Sequence, residues 1–203
     1  MLELTGVLFT DHEFLVFISR FPLLEDLTVR YCLSLEWITI SSNLLKNLSI
    51  DSCYNLMAID IDAPNLLSFR YYDNPIPVFS MNVPCPWKVE FRTGEVDPDT
   101  RWYLKIKEFL AGSNQVEDVI LYVCSEKKWL HQNLMNVDAS CCDSHDIKCW
   151  RHYLKDIKGF FVPEIRDQKP IRVDNFKDAP HQYGTGTFMF HLNWCFPKFL
   201  KKA

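Results

Sequence analysis

The sequence lacks several features by which whole classes of protein are recognised. No apolar run approaches the roughly 20 residues that a membrane-spanning helix requires. The N-terminus does not have the positively charged stretch followed by an apolar one that marks a secretory signal. Long basic stretches are also missing, and 22 basic residues against 26 acidic ones give a net charge of −4. We therefore expect neither a membrane protein nor a nucleic-acid-binding protein.

Motifs for catalysis are missing as well. Gly184 and Gly186 are not followed by the Lys-Ser/Thr pair of a phosphate-binding loop, and the sequence contains no dinucleotide-binding fingerprint. Cysteine and histidine could be paired in many ways, but spacing cannot select a nucleophile, because catalytic triads are recognised by their geometry. We predict no enzymatic activity, no catalytic residue and no cofactor.

Eight cysteines without a secretory signal indicate a reducing compartment, so a cytoplasmic or nuclear protein with free thiols is expected. Four residues could in principle bind zinc, since Cys142, His145, Cys149 and His152 would form one stripe on a helix. Structural zinc sites usually combine two ligand pairs from separated elements. A solvent-exposed helix face explains the stripe more simply, so we predict no metal site and leave this question open.

The sequence does contain an internal repeat. Three successive segments share the pattern L-x-x-L-x-L-x-x-N/C, each shifted by 21 residues: Leu24–Cys32, Leu45–Cys53 and Leu66–Asn74. A fourth match covers Val116–Cys124, and a partial copy begins at Leu2. A fixed period of this kind, with this pattern, is typical of a leucine-rich repeat (LRR).

Each repeat predicts one turn of a solenoid. The central x-L-x-L-x is a short strand whose period of two sends the leucines to one face, and stacked turns bury that face. The cysteine at the strand end is expected to fill a small buried space as a weak donor. The returns, with apolar pairs such as Ile38 and Ile40, should be extended or 3₁₀-helical. The predicted fold class is α/β: an LRR solenoid of short parallel strands with irregular or short-helical returns and a mixed α/β C-terminal continuation.

Three regions are expected along the chain. Residues 1–83 form the regular short repeats, and the Pro-punctuated segment 75–97 ends the regular array. Residues 84–158 form irregular repeats with interspersed helices. Residues 159–203 form a C-terminal segment whose fold the sequence defines poorly.

Two helices are expected in the second region. One lies near 98–111, because Asp97-Pro98 is a typical helix start. The other lies near 146–158, where apolar residues recur at helical spacing. Farther on, the segment 188–194 could be a strand, but no register links it to the repeats.

Some repeat residues carry a more specific likeness. The segments Phe21–Leu27, with Cys32, and Ile59–Tyr71 resemble the LRR region of plant F-box/LRR-repeat proteins, and Lys148–Ile157 resembles the end of the same family. In that family an N-terminal F-box docks on the Skp-type adaptor of a cullin ubiquitin ligase, and the LRR part captures the protein to be ubiquitinated. The F-box motif is absent here, and no polar cap is expected over the first repeat.

The resemblance implies a protein–protein interaction module: the substrate-recognition part of an F-box-type ubiquitin ligase that lacks its F-box. The alternative is a freestanding LRR scaffold or adaptor with no ubiquitin role. In both cases the partner is a protein, and a Skp-type adaptor is a partner only if a longer form carries an F-box.

The partner surface is expected at outward-pointing strand positions, because solenoids bind through such faces. Arg70 and Tyr72 are of the residue types enriched at interface hot spots. The predicted surface comprises Asp26, Thr28, Arg30, Asn47, Ser49, Asp51, Ser68, Arg70 and Tyr72.

Overall fold

The computed structural model describes residues 1–73, 77–83, 87–93, 102, 104–106, 108–109, 116–123, 154–163, 169–173 and 186–194. Within these ranges almost all regular structure is β-strand, arranged in two sheets. The elements in chain order are β1 (Leu2–Thr5), α1 (Asp11–Ile18), β2 (Asp26–Arg30), β3 (Trp37–Ser41), β4 (Asn47–Asp51), β5 (Ala58–Asp62), β6 (Ser68–Tyr72), β7 (Val78–Asn82), β8 (Trp87–Arg92), β9 (Val116–Val123), β10 (Leu154–Pro163), β11 (Ile171–Arg172) and β12 (Gly186–Trp194).

The larger sheet has the strand order β1-β2-β4-β6-β8-β9-β12-β10-β11. Its neighbouring strands are parallel from β1 to β9 and antiparallel from β9 to β11. The smaller sheet consists of β3, β5 and β7, which are parallel. Each of the central turns therefore contributes one strand to each sheet, which is the geometry of a solenoid.

Residues that are 21 positions apart in the sequence lie opposite each other in both sheets. Leu27 pairs with Leu48, and Leu48 with Phe69, in the larger sheet. Ile38 pairs with Ile59 in the smaller sheet. These side chains are buried in one continuous core between the two sheets. The predicted solenoid of short parallel strands is confirmed, and the central returns are extended, as the sequence indicates.

The regular array continues through the Pro-punctuated segment, so the expectation that it ends there is wrong. β8 pairs in register with β6, and Phe69 lies opposite Val89. The inward residues of β8 are Trp87, Val89 and Phe91, all buried. The strand keeps the period of two, but the sequence has Pro86 at the position of the first leucine and Gly94 at that of the Asn or Cys, so it does not match the leucine motif.

Aromatic rings fill the interior next to β8. The Phe91 ring centroid lies 6.3 Å from that of Phe69, 5.9 Å from Phe79 and 5.1 Å from Phe109. The contacts are edge-to-face, which suits the quadrupoles of the rings. Phe109 belongs to the helix predicted near 98–111, where the described residues are helical.

The prediction of a helix near 146–158 is wrong for the residues that the structure describes. Its C-terminal residues belong to β10, and residues 146–153 lie outside the described ranges. Gly159 and Phe161 are buried, whereas Lys158 and Phe160 are half-exposed, so the local period is two. After β9 the described residues with regular structure form strands, β10, β11 and β12.

The strand at 186–194 does join the array. β12 pairs with β9 in antiparallel register, with Phe190 opposite Leu121, and β10 pairs with β12. The LRR motif has a direction along the chain, so a strand that runs the opposite way does not match it.

Helix α1 packs beside β3 and covers the N-terminal edge of the smaller sheet. It begins with a capping box in which Glu13 N donates to Thr10 Oγ1 at 3.3 Å and Thr10 N donates to Glu13 Oε2 at 2.9 Å. The hydrogen bonds from Thr10 lower the pKa of Glu13. Phe14 and Ile18 face inward and are buried.

The Asp11 side chain accepts backbone hydrogen bonds at this edge of the smaller sheet. Its Oδ1 accepts hydrogen bonds from the backbone N–H groups of Glu36 and Trp37, at 3.0 and 3.2 Å. One turn later the Glu36 carbonyl accepts from Met57 N and Ala58 N in the same way. The Asp11 carboxylate thus occupies the place that a carbonyl of a preceding turn would take.

Candidate partner-binding surface

All nine residues of the predicted partner surface point outward from the larger sheet. We call this side, formed by the outward side chains of β1, β2, β4, β6, β8 and β9, the open face. None of the nine residues is fully buried, whereas the residues between them along each strand are. The alternation of the repeat therefore places them correctly on one face, and their part in binding stays a prediction.

Strand register arranges the open face in rows that cross the strands. The row that begins at Arg30 continues through Asp51, Tyr72, Arg92 and Tyr122, each being the Cα partner of the next. Side chains that are distant in sequence therefore lie side by side.

On β1, β2 and β4, the single base of the open face is paired with carboxylates. Arg30 lies between two carboxylates, with Nη1 3.1 Å from Glu3 Oε1 and Nε 3.6 Å from Asp51 Oδ2. Asn47 Nδ2 donates to Asp26 Oδ1 at 2.6 Å, so one acid here is held by an amide instead of a cation. This end of the face carries more carboxylates than bases.

Arg92 is held between two tyrosine rings. Its guanidinium carbon lies 5.6 Å from the ring centroid of Tyr72 and 4.2 Å from that of Tyr122. Its Nη2 also lies 3.2 Å from Glu90 Oε1. Contacts of a cation with ring faces at such distances are attractive. Burial raises the pKa of Tyr122, and the Glu90 carboxylate adds to the rise, so the phenol stays protonated at neutral pH.

The cations of β6 and β8 project farther than Glu90 and Asp118, the carboxylates that they contact. The side chains of Arg70, Lys88 and Arg92 are 64%, 72% and 45% exposed, whereas Glu90 and Asp118 are only 23% and 20% exposed. Arg70 and Arg92 both approach Glu90, and Lys88 Nζ lies 3.6 Å from Asp118 Oδ2. We call Arg70, Lys88 and Arg92 the cationic patch.

Sequence reasoning found one member of the cationic patch and missed two. Lys88 and Arg92 lie on β8, which does not match the leucine motif. The alternation of Trp87, Val89 and Phe91 is the signal that could have identified the strand and its outward residues. The match of the fourth repeat on β9 also implies an outward Tyr122, but its place beside Arg92 depends on a register irregularity between β8 and β9.

Cys142, His145, Cys149 and His152 lie outside the described residues, so the prediction about them stays a prediction. In the part of the chain that the structure describes, no group of three or more His, Cys, Asp or Glu could hold a metal ion. Nor does any helix there have the length and apolarity to cross a membrane.

The two described cysteines are free and buried at equivalent positions of successive turns, as the repeat predicts. Cys32 Sγ lies 3.4 Å from the Arg30 carbonyl, and Cys53 Sγ lies 3.5 Å from the Asp51 carbonyl, so both thiols act as weak donors. Burial raises the pKa of Cys53 to about 11.

A protein-family model described as "At1g61320/AtMIF1, LRR domain" matches residues 1–127. The match runs from β1 through β9 and covers more than half of the 203 residues. It therefore includes all strands of the open face. Comparisons with curated proteins and with solved structures found no match.

Proposed function

The chain belongs to the plant LRR family represented by the LRR domain of At1g61320/AtMIF1, and from this we propose a protein-interaction module that binds its partner on the open face. LRR solenoids are typically interaction scaffolds, since stacked strands present a broad, regular surface. The partner surface predicted from sequence is the β2, β4 and β6 part of that face. β8 and β9 extend it.

The row Tyr72–Arg92–Tyr122 is the observation that carries the proposal. Tyrosine and arginine are enriched among the residues that dominate binding energy at interfaces. Stacking between two rings restricts the Arg92 side chain before a partner arrives, which lowers the entropic cost of binding. A polar side chain held in this way on an exposed sheet favours recognition of a partner.

Catalysis is not part of the proposal. Perturbed pKa values mark catalytic groups when they occur in a cleft. The strongly raised pKa values of Cys53 and Tyr71 instead have burial in the solenoid core as their main cause. We expect purified protein to act through binding alone.

Site-specific photo-crosslinking tests the proposed face. A photoreactive amino acid at Ser49 or Ser68 should capture a partner from plant extract. The same probe at Thr39 or Asp60, exposed on the smaller sheet, serves as the matched control. Equal capture from the two sheets, or capture from the smaller sheet alone, would refute the assignment.

A finer proposal is substrate recognition for an F-box-type ubiquitin ligase, in the reducing environment of the cytoplasm or nucleus. It rests on the likeness of Phe21–Leu27 and Ile59–Tyr71 to plant F-box/LRR proteins. The alternative is a freestanding scaffold. Affinity purification separates them: recovery of a Skp-type adaptor and a cullin with the protein supports the ligase role. Recovery of the crosslinked partner without either subunit supports the scaffold.

A further inference from the structure

The cationic patch is an exception on an acidic protein. The chain carries a net charge of −4, yet the three most projecting charges on β6 and β8 are positive. Their carboxylate neighbours Glu90 and Asp118 lie on the same face but are only about one-fifth exposed. A partner that approaches this part of the open face therefore meets cations first.

We propose that the open face binds a short acidic segment of a partner protein, whose carboxylates pair with Arg70, Lys88 and Arg92. The inference rests on the proposed function and adds the chemistry of the partner. Arginine offers a planar set of donors that matches a carboxylate, and the rings of Tyr72 and Tyr122 fix the plane of Arg92. Arg70 and Lys88 are the most exposed of the three side chains. Each makes a long contact of 3.6 Å with a carboxylate of the sheet, and an incoming carboxylate would add to or replace this contact.

The size of the patch limits the segment to a few carboxylates. β6 and β8 are adjacent strands, which lie about 4.8 Å apart in a sheet. On the side of β2 and β4, Asp26 and Asp51 lie on the same face and would repel a longer acidic stretch. On the other side, Asp118 of β9 bounds the patch.

Nucleic acid is a less suitable occupant. Binding to a phosphate backbone depends on many basic contacts, and this patch offers three cations on a chain of net negative charge. Bases could stack on Tyr72 and Tyr122, so an oligonucleotide belongs in the test.

The experiment uses the full chain and a fluorescent six-residue peptide in which three acidic residues alternate with Ser and Phe. A peptide with Asn and Gln in place of the acids is the neutral probe. Fluorescence anisotropy should show saturable binding of the acidic peptide and at least tenfold weaker binding of the neutral one. The triple variant Arg70→Gln, Lys88→Gln, Arg92→Gln should weaken acidic-peptide binding about tenfold, as expected for three exposed ion pairs.

A matched triple variant, Lys46→Gln, Lys105→Gln, Arg172→Gln, makes the same charge change away from the patch and should bind as the wild type does. If removal of the Arg92 stack unfolds the protein, the double variant Arg70→Gln, Lys88→Gln remains informative. Both of its side chains are largely exposed, and it should still weaken binding severalfold.

Equal binding of acidic and neutral peptides, or equal loss in the patch and control variants, would overturn the inference. Tighter binding of a dT12 oligonucleotide through the same three residues would replace it with nucleic-acid recognition. Capture of a partner by crosslinkers at Ser49 or Ser68, undiminished by the patch variants, would reject the acidic segment and leave the proposed function standing. Absence of capture from the open face would reject both.

Discussion

One position in each of the first turns adopts a left-handed backbone conformation. Gly6, Tyr31 and Ser52 have φ angles of 64°, 53° and 53°, and each directly follows the last residue of a strand in the larger sheet. Each donates its backbone N–H to a carbonyl at the end of the neighbouring strand. The conformation turns the chain out of the sheet and adds one hydrogen bond to the ladder.

Gly6 offers a clean test of this position. A Cβ at residue 6 would meet no atom within 4 Å, so the substitution Gly6→Ala adds only the backbone cost of the left-handed conformation. We expect a loss of about 1 kcal/mol in the free energy of unfolding, measured by chemical denaturation. Gly6→Asn should lose less, because asparagine tolerates this region. Equal stability of Gly6→Ala and the wild type would contradict a left-handed residue 6.

The buried Cys53 thiol predicts a loss of stability in alkali. Its pKa rises from 9.0 to about 11 on folding, so its contribution is fully present below pH 9 and is lost as pH rises through 11. The raised pKa of Tyr71 acts in the same direction. We expect the free energy of unfolding to fall between pH 9 and 11, and to fall less in Cys53→Ala. An unchanged pH slope in Cys53→Ala would mean that the thiol titrates normally.

Sequence predicts the role of the cysteines but not the left-handed residues before them. The cysteine column follows from the repeat register, because a residue at a fixed place after a buried strand enters the same space in every turn. Tyr31 and Ser52 are not residues that favour positive φ, and the spacing of the turn alone forces the conformation on them.

Among the elements, α1 occupies the position beside β3 that a neighbouring strand of the smaller sheet would otherwise take. Its buried residues cover the end of the core, while Asp11 hydrogen-bonds the first strand of the smaller sheet. Exposed strand edges invite pairing with another chain. A carboxylate that occupies the acceptor position protects the start of this edge without adding a strand.

Removal of the Asp11 carboxylate should loosen this edge. Asp11→Ala is expected to lower the free energy of unfolding by about 1–2 kcal/mol, because two hydrogen bonds to a charged acceptor are lost. Hydrogen exchange at the amides of Glu36 and Trp37 should accelerate. Asp11→Asn keeps an acceptor oxygen and should lose less. Asp60→Ala, an exposed acid on β5, is the control, and equal effects of Asp11→Ala and Asp60→Ala would argue against the cap.

The elements that the sequence predicts are the parallel strands whose motif recurs at a fixed period. β2, β4 and β6 each follow a leucine at one register and share apolar inward positions, and stacking alone then determines their pairing. β8 lacks that leucine, and β10 and β12 run in the opposite direction. Their pairing depends on contacts distant in sequence, which no local pattern encodes.

On the scale of the whole molecule, the antiparallel strands close the array. Val119, Leu121 and Val123 are buried, and the outer edge of β9 pairs with β12. The sheet thereby changes from parallel to antiparallel pairing at β9 without a break in its hydrogen bonding.

A chain shortened to residues 1–127 should therefore self-associate, since it exposes the edge of β9. Light scattering coupled to gel filtration should show oligomers, and the melting temperature should fall. A charged residue on the outward side of the freed strand, Ile120→Lys, should restore monomers in the shortened chain. A monodisperse shortened chain with the melting temperature of the full protein would contradict a closing role for β10 and β12.

The reversal of strand direction at β9 also restricts how this gene can change in length. A duplicated 21-residue unit brings a parallel strand, and such a unit fits only where parallel neighbours lie on both sides. Beyond β9 an added unit would meet a strand of the wrong direction. Gains and losses of units are therefore tolerated among β2, β4, β6 and β8. The distance between the cationic patch and the acidic end of the face is the property that such changes would alter.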